Sequence, residues 1–159
     1  MTKEHLNDLY GRLESLRSAI CNLLKKRNLD ASWGFFNGHY HKDEKGIYRC
    51  DAYPIPVISV ANICDIEIDL TTISVSTRMD KLSASDYDLS HLHHPFEVYG
   101  IDDFLHDFEW CSVTASQWKE SILASSESEI GFSFYFENDV SAETVIALIL
   151  FLQKEGFYN

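Results

Sequence analysis

Alternation of apolar and polar residues across positions 64–79 is the strongest constraint on how this chain can fold. In the run CDIEIDLTTISVSTRM, Ile66 and Ile68 fall on one side of an extended backbone, and acidic residues fall on the other. This period is typical of antiparallel strands that bury one face and leave the other in water. The phase reverses after Thr71 and Thr72, which predicts a turn or a bulge there. A sheet with one apolar face needs a covering layer.

Other stretches predict further strands of the same sheet. SWGFFNGHYH and GIYRCDAY flank KDEKG, a polar turn sequence that suits a hairpin. YPIPVISV follows, and the N–H groups that Pro54 and Pro56 lack would all point to one side of an extended strand. That stretch therefore predicts an edge strand or an irregular entry into one. IGFSFYFE, at 130–137, alternates most regularly of all.

Two terminal helices can supply the covering layer. Residues 3–28 predict a helix whose apolar residues recur at spacings of three and four, so it packs on the sheet or pairs with a second copy. These residues are Leu6, Leu9, Leu13, Leu16, Ile20 and Leu23. A last helix is predicted from Ser141 to Gly156. Its centre, VIALILFL, is apolar on all sides, which predicts a helix central to the fold or covered by another chain.

The stretch between the strands and the last helix is polar, acidic and irregular. DKLSASDYDLSHLHHP predicts a long connection with a short helical piece, and GIDDFLHDFEW predicts a short helix. TASQWKESIL predicts another short helix, capped by Thr114 or Ser116.

The whole pattern predicts one α+β domain over residues 1–159. It is an antiparallel β-sheet of about four to six strands covered by an N-terminal and a C-terminal α-helix, with short helices in the 100–125 region. The order of elements is similar to that of type III secretion chaperones. That resemblance implies a small acidic domain that dimerises and holds a segment of another protein.

Net charge excludes two classes of function. The chain has 13 basic and 25 acidic residues, a formal charge of −12, and all of the excess lies beyond residue 30. Such a body repels nucleic acid phosphates and anionic lipid surfaces. The sequence shows no secretory leader, no CxxC spacing and no apolar run long enough to span a bilayer. We therefore expect a cytoplasmic protein with reduced thiols that binds neither nucleic acid nor membranes.

A segment rich in histidine and aspartate, 86–109, is the strongest candidate for chemistry. Imidazole and carboxylate groups suit a divalent transition metal such as Zn²⁺, Fe²⁺ or Mn²⁺. The candidate ligands are Asp86, Asp88, His91, His93, His94 and His106. The segment contains neither HExxH nor the calcium-loop pattern, and a solvated turn before Pro95 is the ordinary alternative.

No complete catalytic motif is present. The sequence lacks GxSxG, GxxxxGK[ST] and GxGxxG. Our leading hypothesis is a non-enzymatic protein-binding module of the chaperone, immunity or adaptor kind. It would need no cofactor, form a homodimer, and recognise a basic protein partner through its acidic face. The alternatives are a metal-dependent enzyme or metal-binding protein using the 86–109 segment, and a small-molecule sensor with a pocket between the sheet and the last helix.

Overall fold

The computed structural model describes residues 3–37, 40–42, 44–45, 48–50, 54–69, 72–92, 98–101, 114–137 and 139–159. The helices are α1 (Lys3–Lys26), α2 (Lys81–Ser85), α3 (Ala115–Ala124) and α4 (Ala142–Glu155), with a 3₁₀ turn at Leu89–Leu92. The strands are β1 (Ala31–Asn37), β2 (Tyr40–Lys42), β3 (Tyr48–Cys50), β4 (Pro54–Val60), β5 (Cys64–Ile68), β6 (Thr72–Asp80), β7 (Val98–Ile101) and β8 (Glu129–Glu137).

Six of these strands form one antiparallel sheet. Their order is β1-β4-β5-β6-β8-β7, while β2 and β3 pair with each other separately. The predicted α+β class is confirmed, as are the antiparallel sheet, the two terminal helices and a short helix within 100–125. The predicted phase change at Thr72 is the connection from β5 to β6, where the Asp69 N–H donates to the Thr72 carbonyl.

The alternating pattern works as the sequence predicts. On β5, Cys64, Ile66 and Ile68 are buried, while Asp65 and Glu67 are exposed. The buried side chains of β4, β5, β6 and β8 form one cluster with the apolar residues of α1 and α4. The helices therefore cover one face of the sheet. The second face, here called the wet face, carries the exposed residues of β5, β6 and β8, while Ile55 of β4, which alternation also places on this face, is fully buried.

The last helix lies at the centre of this core. Its buried residues include Val145, Ile149 and Leu152, and α4 packs against α1. This arrangement accounts for its apolar circumference by contacts within one chain. Ser141 caps the first turn, and Gly156 ends the helix at φ 86°, a left-handed conformation that glycine adopts without strain.

Thr114 caps α3, which decides between the two predicted caps. Its side chain accepts the Gln117 N–H, and the Gln117 side chain accepts the Thr114 N–H, so each residue satisfies a donor of the other. Farther along the helix, buried Trp118 donates its indole N–H to the Ala84 carbonyl at 2.6 Å. This bond ties α3 to α2.

One prediction needs correction. The strand with Pro54 and Pro56 is not an edge strand, because β4 lies between β1 and β5. Instead β4 pairs with β5 only from Val57 onward, so both prolines precede that pairing; this is the irregular entry that was the other alternative. The short helix predicted within GIDDFLHDFEW, with Asp102 or Asp103 at its start, lies outside the described residues, and the two residues before it belong to β7.

The prolines also establish which way the backbone groups of β1 point. The Ala61 N–H donates to the Asp30 carbonyl, just beyond the last β1–β4 pair. In an antiparallel ladder the bonding direction alternates along a strand, so every second pair is hydrogen-bonded, and Val57 bonds to Gly34, four residue pairs further on. Pro54 and Pro56 alternate with the β4 residues that bond to β1. The N–H groups that the prolines lack would therefore point away from β1, so no β1–β4 hydrogen bond is lost. It follows that the N–H and C=O groups of Trp33 and Phe35 point away from β4.

Proline substitutions in β1 test this assignment. Gly34→Pro should remove a ladder hydrogen bond and lower the free energy of unfolding by about 1–3 kcal/mol, because a buried carbonyl on β4 loses its donor. Phe35→Pro should destabilise no more than Phe35→Ala, since its N–H points outward. Urea unfolding of the three variants measures the difference. Equal destabilisation by the two prolines would contradict the assignment.

Candidate functional site

The outer side of β1 is an open sheet edge. β1 runs for seven residues in unbroken register with β4, and no strand pairs with its other side in the described part of the chain. Its sequence, ASWGFFN, contains no charged residue and no proline. β1 therefore lacks the charged residues and prolines that usually block pairing of a further strand with such an edge.

The opposite edge of the sheet is different. β7 has only four residues, and its register against β8 shifts between Val98 and Gly100. Short length and a bulge are common ways in which natural sheets prevent edge-to-edge association. Only β1 offers a long and regular edge among the described strands.

Two half-exposed aromatic rings lie beside this edge, on the helix-covered side. Trp33 is 49 % exposed and Phe35 is 51 % exposed, and their rings meet edge to face with centroids 5.6 Å apart. The Arg17 guanidinium, from α1, lies 3.6 Å from the centre of the Trp33 ring. Glu14 accepts hydrogen bonds from Arg17 at 2.6 and 3.1 Å and raises the pKa of the guanidinium. The indole is thus held on a fixed cationic support.

The wet face of the sheet is acidic. Its exposed acidic residues are Asp65, Glu67, Asp80, Glu129 and Glu137. Arg78, whose guanidinium contacts Glu129 at 2.8 Å, is the one basic residue on this face among the described positions of the six strands. The pairing register aligns Gly34 with Val57 and Glu67 in one row, which runs from the open edge to an acidic residue.

The structure describes three of the six candidate metal ligands and brings only two of these three, Asp88 and His91, close together. The Asp86 carboxylate contacts the Lys119 ammonium at 2.9 Å. Asp88 accepts bonds from the N–H and hydroxyl of Ser90, which lower its pKa, as does nearby His91 to a smaller extent. His93, His94 and His106 lie outside the described residues. No group of three potential ligands suited to a metal occurs in the described part of the chain, and the metal site stays a prediction.

His91 links the 3₁₀ turn to the end of α4. Its Nδ1 lies 3.3 Å from a Glu155 carboxylate oxygen, and its Nε2 lies 3.5 Å from an Asp88 oxygen. The two nitrogens face different carboxylates, so these three groups do not converge on one ion. Beside them, the Tyr87 hydroxyl is buried without a hydrogen-bond partner among the described residues. Burial raises the pKa of Tyr87, and the Glu155 and Asp88 charges raise it further.

The buried thiol of Cys64 is not an activated nucleophile. Cys21 and Cys64 are both free, and Cys64 is fully buried. Burial, with a smaller effect of the Asp65 charge, raises the pKa of Cys64 to about 12. A buried neutral thiol behaves as a small apolar side chain. The side chains of Cys50 and Cys111 lie outside the described part of the structure.

Sequence reasoning did not single out Trp33, Phe35 or Arg17. The available signal was an uncharged strand with aromatic residues two positions apart. Because the sheet order is not written in the sequence, that signal could not show that this strand forms an edge.

Comparison with known proteins gives a fold without an assigned activity. Neither protein-family models nor curated proteins match the chain. The solved structure of a conserved hypothetical protein from Pyrococcus furiosus is similar, with a TM-score of 0.67 at 15 % sequence identity. The similarity covers 97 % of this chain and 96 % of that one, so the two share the overall fold. None of the helices in the described part of the chain is long and apolar enough to cross a membrane.

Alkaline pH should destabilise the folded protein through Cys64. Its pKa is about 12 in the folded protein against 9.0 for an unperturbed thiol. Between these values the unfolded chain releases the proton and the folded chain keeps it, so the free energy of unfolding falls as pH rises, by about 1 kcal/mol at about pH 10. Urea unfolding at about pH 8 and about pH 10 should show a smaller loss for Cys64→Ala than for wild type. Equal losses would exclude this contribution.

Proposed function

We propose that this protein is a small acidic protein-binding module that receives an extended segment of a partner protein as an additional strand along β1. The open, regular and uncharged edge of β1 is the observation that carries the proposal. Strand addition is a common mode of peptide recognition, in which the backbone hydrogen bonds set register and side-chain contacts give specificity.

The energetics assign different roles to the backbone and the aromatic rings. A backbone hydrogen bond contributes about 0.5–1.5 kcal/mol net, whereas fixing the backbone of one residue costs about 1–2 kcal/mol. Hydrogen bonds to Trp33 and Phe35 would therefore do little more than offset the ordering of the segment. Affinity requires burial of apolar surface, and the exposed halves of the two rings supply it.

A second copy of this chain is the other occupant to consider, since it would give the homodimer expected from the sequence. Pairing β1 with β1 of another copy would join two wet faces into one continuous surface. Both faces carry Asp65 and Glu67, and each chain has a charge of −12. Like charges on adjoining surfaces oppose this association, which favours a partner of different composition.

Selection from displayed random peptides tests the proposal. Peptides enriched on the wild type should lose most of their affinity for Phe35→Pro, which removes an outward N–H, beyond the loss caused by Phe35→Ala, which removes only the ring. Calorimetric or fluorescence titration of the selected peptides on all three proteins measures this difference. Far-UV circular dichroism verifies that the variants are folded.

Three outcomes decide the proposal. Peptides that bind Phe35→Pro as tightly as Phe35→Ala would overturn it, and so would failure to enrich any peptide. Sedimentation of the wild type and Phe35→Pro adds a separate outcome. A wild-type dimer that dissociates in Phe35→Pro but not in Phe35→Ala would make the occupant a second copy and overturn the assignment to a partner protein.

A further inference from the structure

From the two faces on either side of β1 we infer the chemistry of the segment it receives: apolar or aromatic residues alternating with basic residues. This inference rests on the proposed function, because it describes the occupant of the same edge. The apolar residues would face the helix-covered side, and the basic residues would face the wet side. Side chains of an added strand alternate between the two faces of the sheet, so each face selects every second residue.

The helix-covered side selects apolar residues. Directly paired residues of neighbouring strands place their side chains on the same face. Residues of the segment opposite Trp33 and Phe35 therefore contact these rings, whose exposed fractions are 49 % and 51 %. Arg17 already occupies one side of the indole and is held there by Glu14. A second cation on this face would be repelled by the positive charge of Arg17, so an apolar or aromatic side chain fits better.

The wet side selects basic residues. A residue opposite Gly34 would begin the row that continues through Val57 to Glu67. Strands lie about 4.8 Å apart, so the Glu67 backbone is about 14 Å from the segment, with the Val57 side chain on the same face between them. Glu67 therefore attracts a basic residue of the segment through space and not by direct contact. Nothing lies within 4 Å of the position where a Gly34 side chain would begin, which leaves that path open.

Glu67 is the carboxylate in this row that can attract a basic residue of the segment. It makes no hydrogen bond or ion pair with the described residues, whereas the neighbouring Asp65 already accepts bonds from Ser59 and Asn159. Positive charge near the edge comes from Arg17, on the helix-covered side, and from Lys25, Lys26 and Arg27, which precede β1. We therefore expect the basic preference along the middle of the strand, at the row of Gly34.

The test uses three synthetic peptides slightly longer than β1, in which valine alternates with lysine, serine or glutamate. Methylating alternate amide nitrogens prevents the peptides from pairing with one another and leaves one edge free to pair with β1. The expected affinity order is lysine, then serine, then glutamate, and the differences should shrink as salt is added. Fluorescence of a dye on the peptide reports binding to the wild type and to Phe35→Pro.

Two charge-reversed variants distinguish local attraction by Glu67 from the effect of the net charge of the protein. Glu67→Lys should weaken binding of the lysine peptide roughly two- to fivefold. Glu137→Lys, on the same face but on β8, has the same net charge and should weaken it less. Equal weakening by the two variants would overturn the assignment of the basic preference to Glu67.

The outcomes also separate this inference from the proposed function. If the three peptides bind with equal affinity and all lose binding to Phe35→Pro, strand addition stands and the basic preference is wrong. If none of the three binds the wild type, both are overturned.

Discussion

Covering only one face of an antiparallel sheet is the constraint on which the rest of this structure depends. The sheet has an apolar face and a polar face because its strands alternate, and α1 and α4 both pack on the apolar face. The polar face then carries the acidic residues of β5, β6 and β8 by the same alternation. The acidic surface is therefore a direct consequence of the pattern that builds the core.

The same layer positions the aromatic pair. α1 runs over β1 and β4, and Arg17 reaches from this helix to the Trp33 ring. At the end of a sheet an inward-facing residue has a neighbouring strand on one side only, so Trp33 and Phe35 stay half exposed although they lie on the apolar face. Their exposure reflects their place in the sheet more than their residue type.

Local pattern was sufficient to predict the elements but insufficient to predict their arrangement. Strands β5, β6 and β8, both terminal helices and a cap of α3 at Thr114 or Ser116 follow from periodicity and capping chemistry, which act over a few residues, and the structure selects Thr114. Sheet order depends on contacts between distant segments, so the open edge of β1 could not be read from its sequence. Pro56 shows the limit clearly: its missing N–H indicates an unpaired side, and only the register of β4 against β5, whose pairing ends at Val57 and Glu67, shows how an interior strand can have one.

The candidate chemistry shows a second limit. Histidines close in sequence need not share a site, and His91 turns its two nitrogens to carboxylates from the 3₁₀ turn region and α4. Sequence proximity could suggest a metal site, but Glu155 on α4, the group that His91 contacts across the fold, lies far away along the chain.

Acidic charge and an uncharged edge act together on the choice of partner. Natural sheets commonly protect an edge with charges on the edge strand itself, and β1 carries none. Here the acidic residues lie two or more strands inward, on the wet face of β5, β6 and β8, where like charge opposes a second copy of the chain without blocking the outward N–H and C=O groups of β1. A basic segment is attracted by the same charges, because the electrostatic force changes sign with the partner. Under the proposed function, discrimination against self-association and affinity for a basic strand would be two results of one charge distribution.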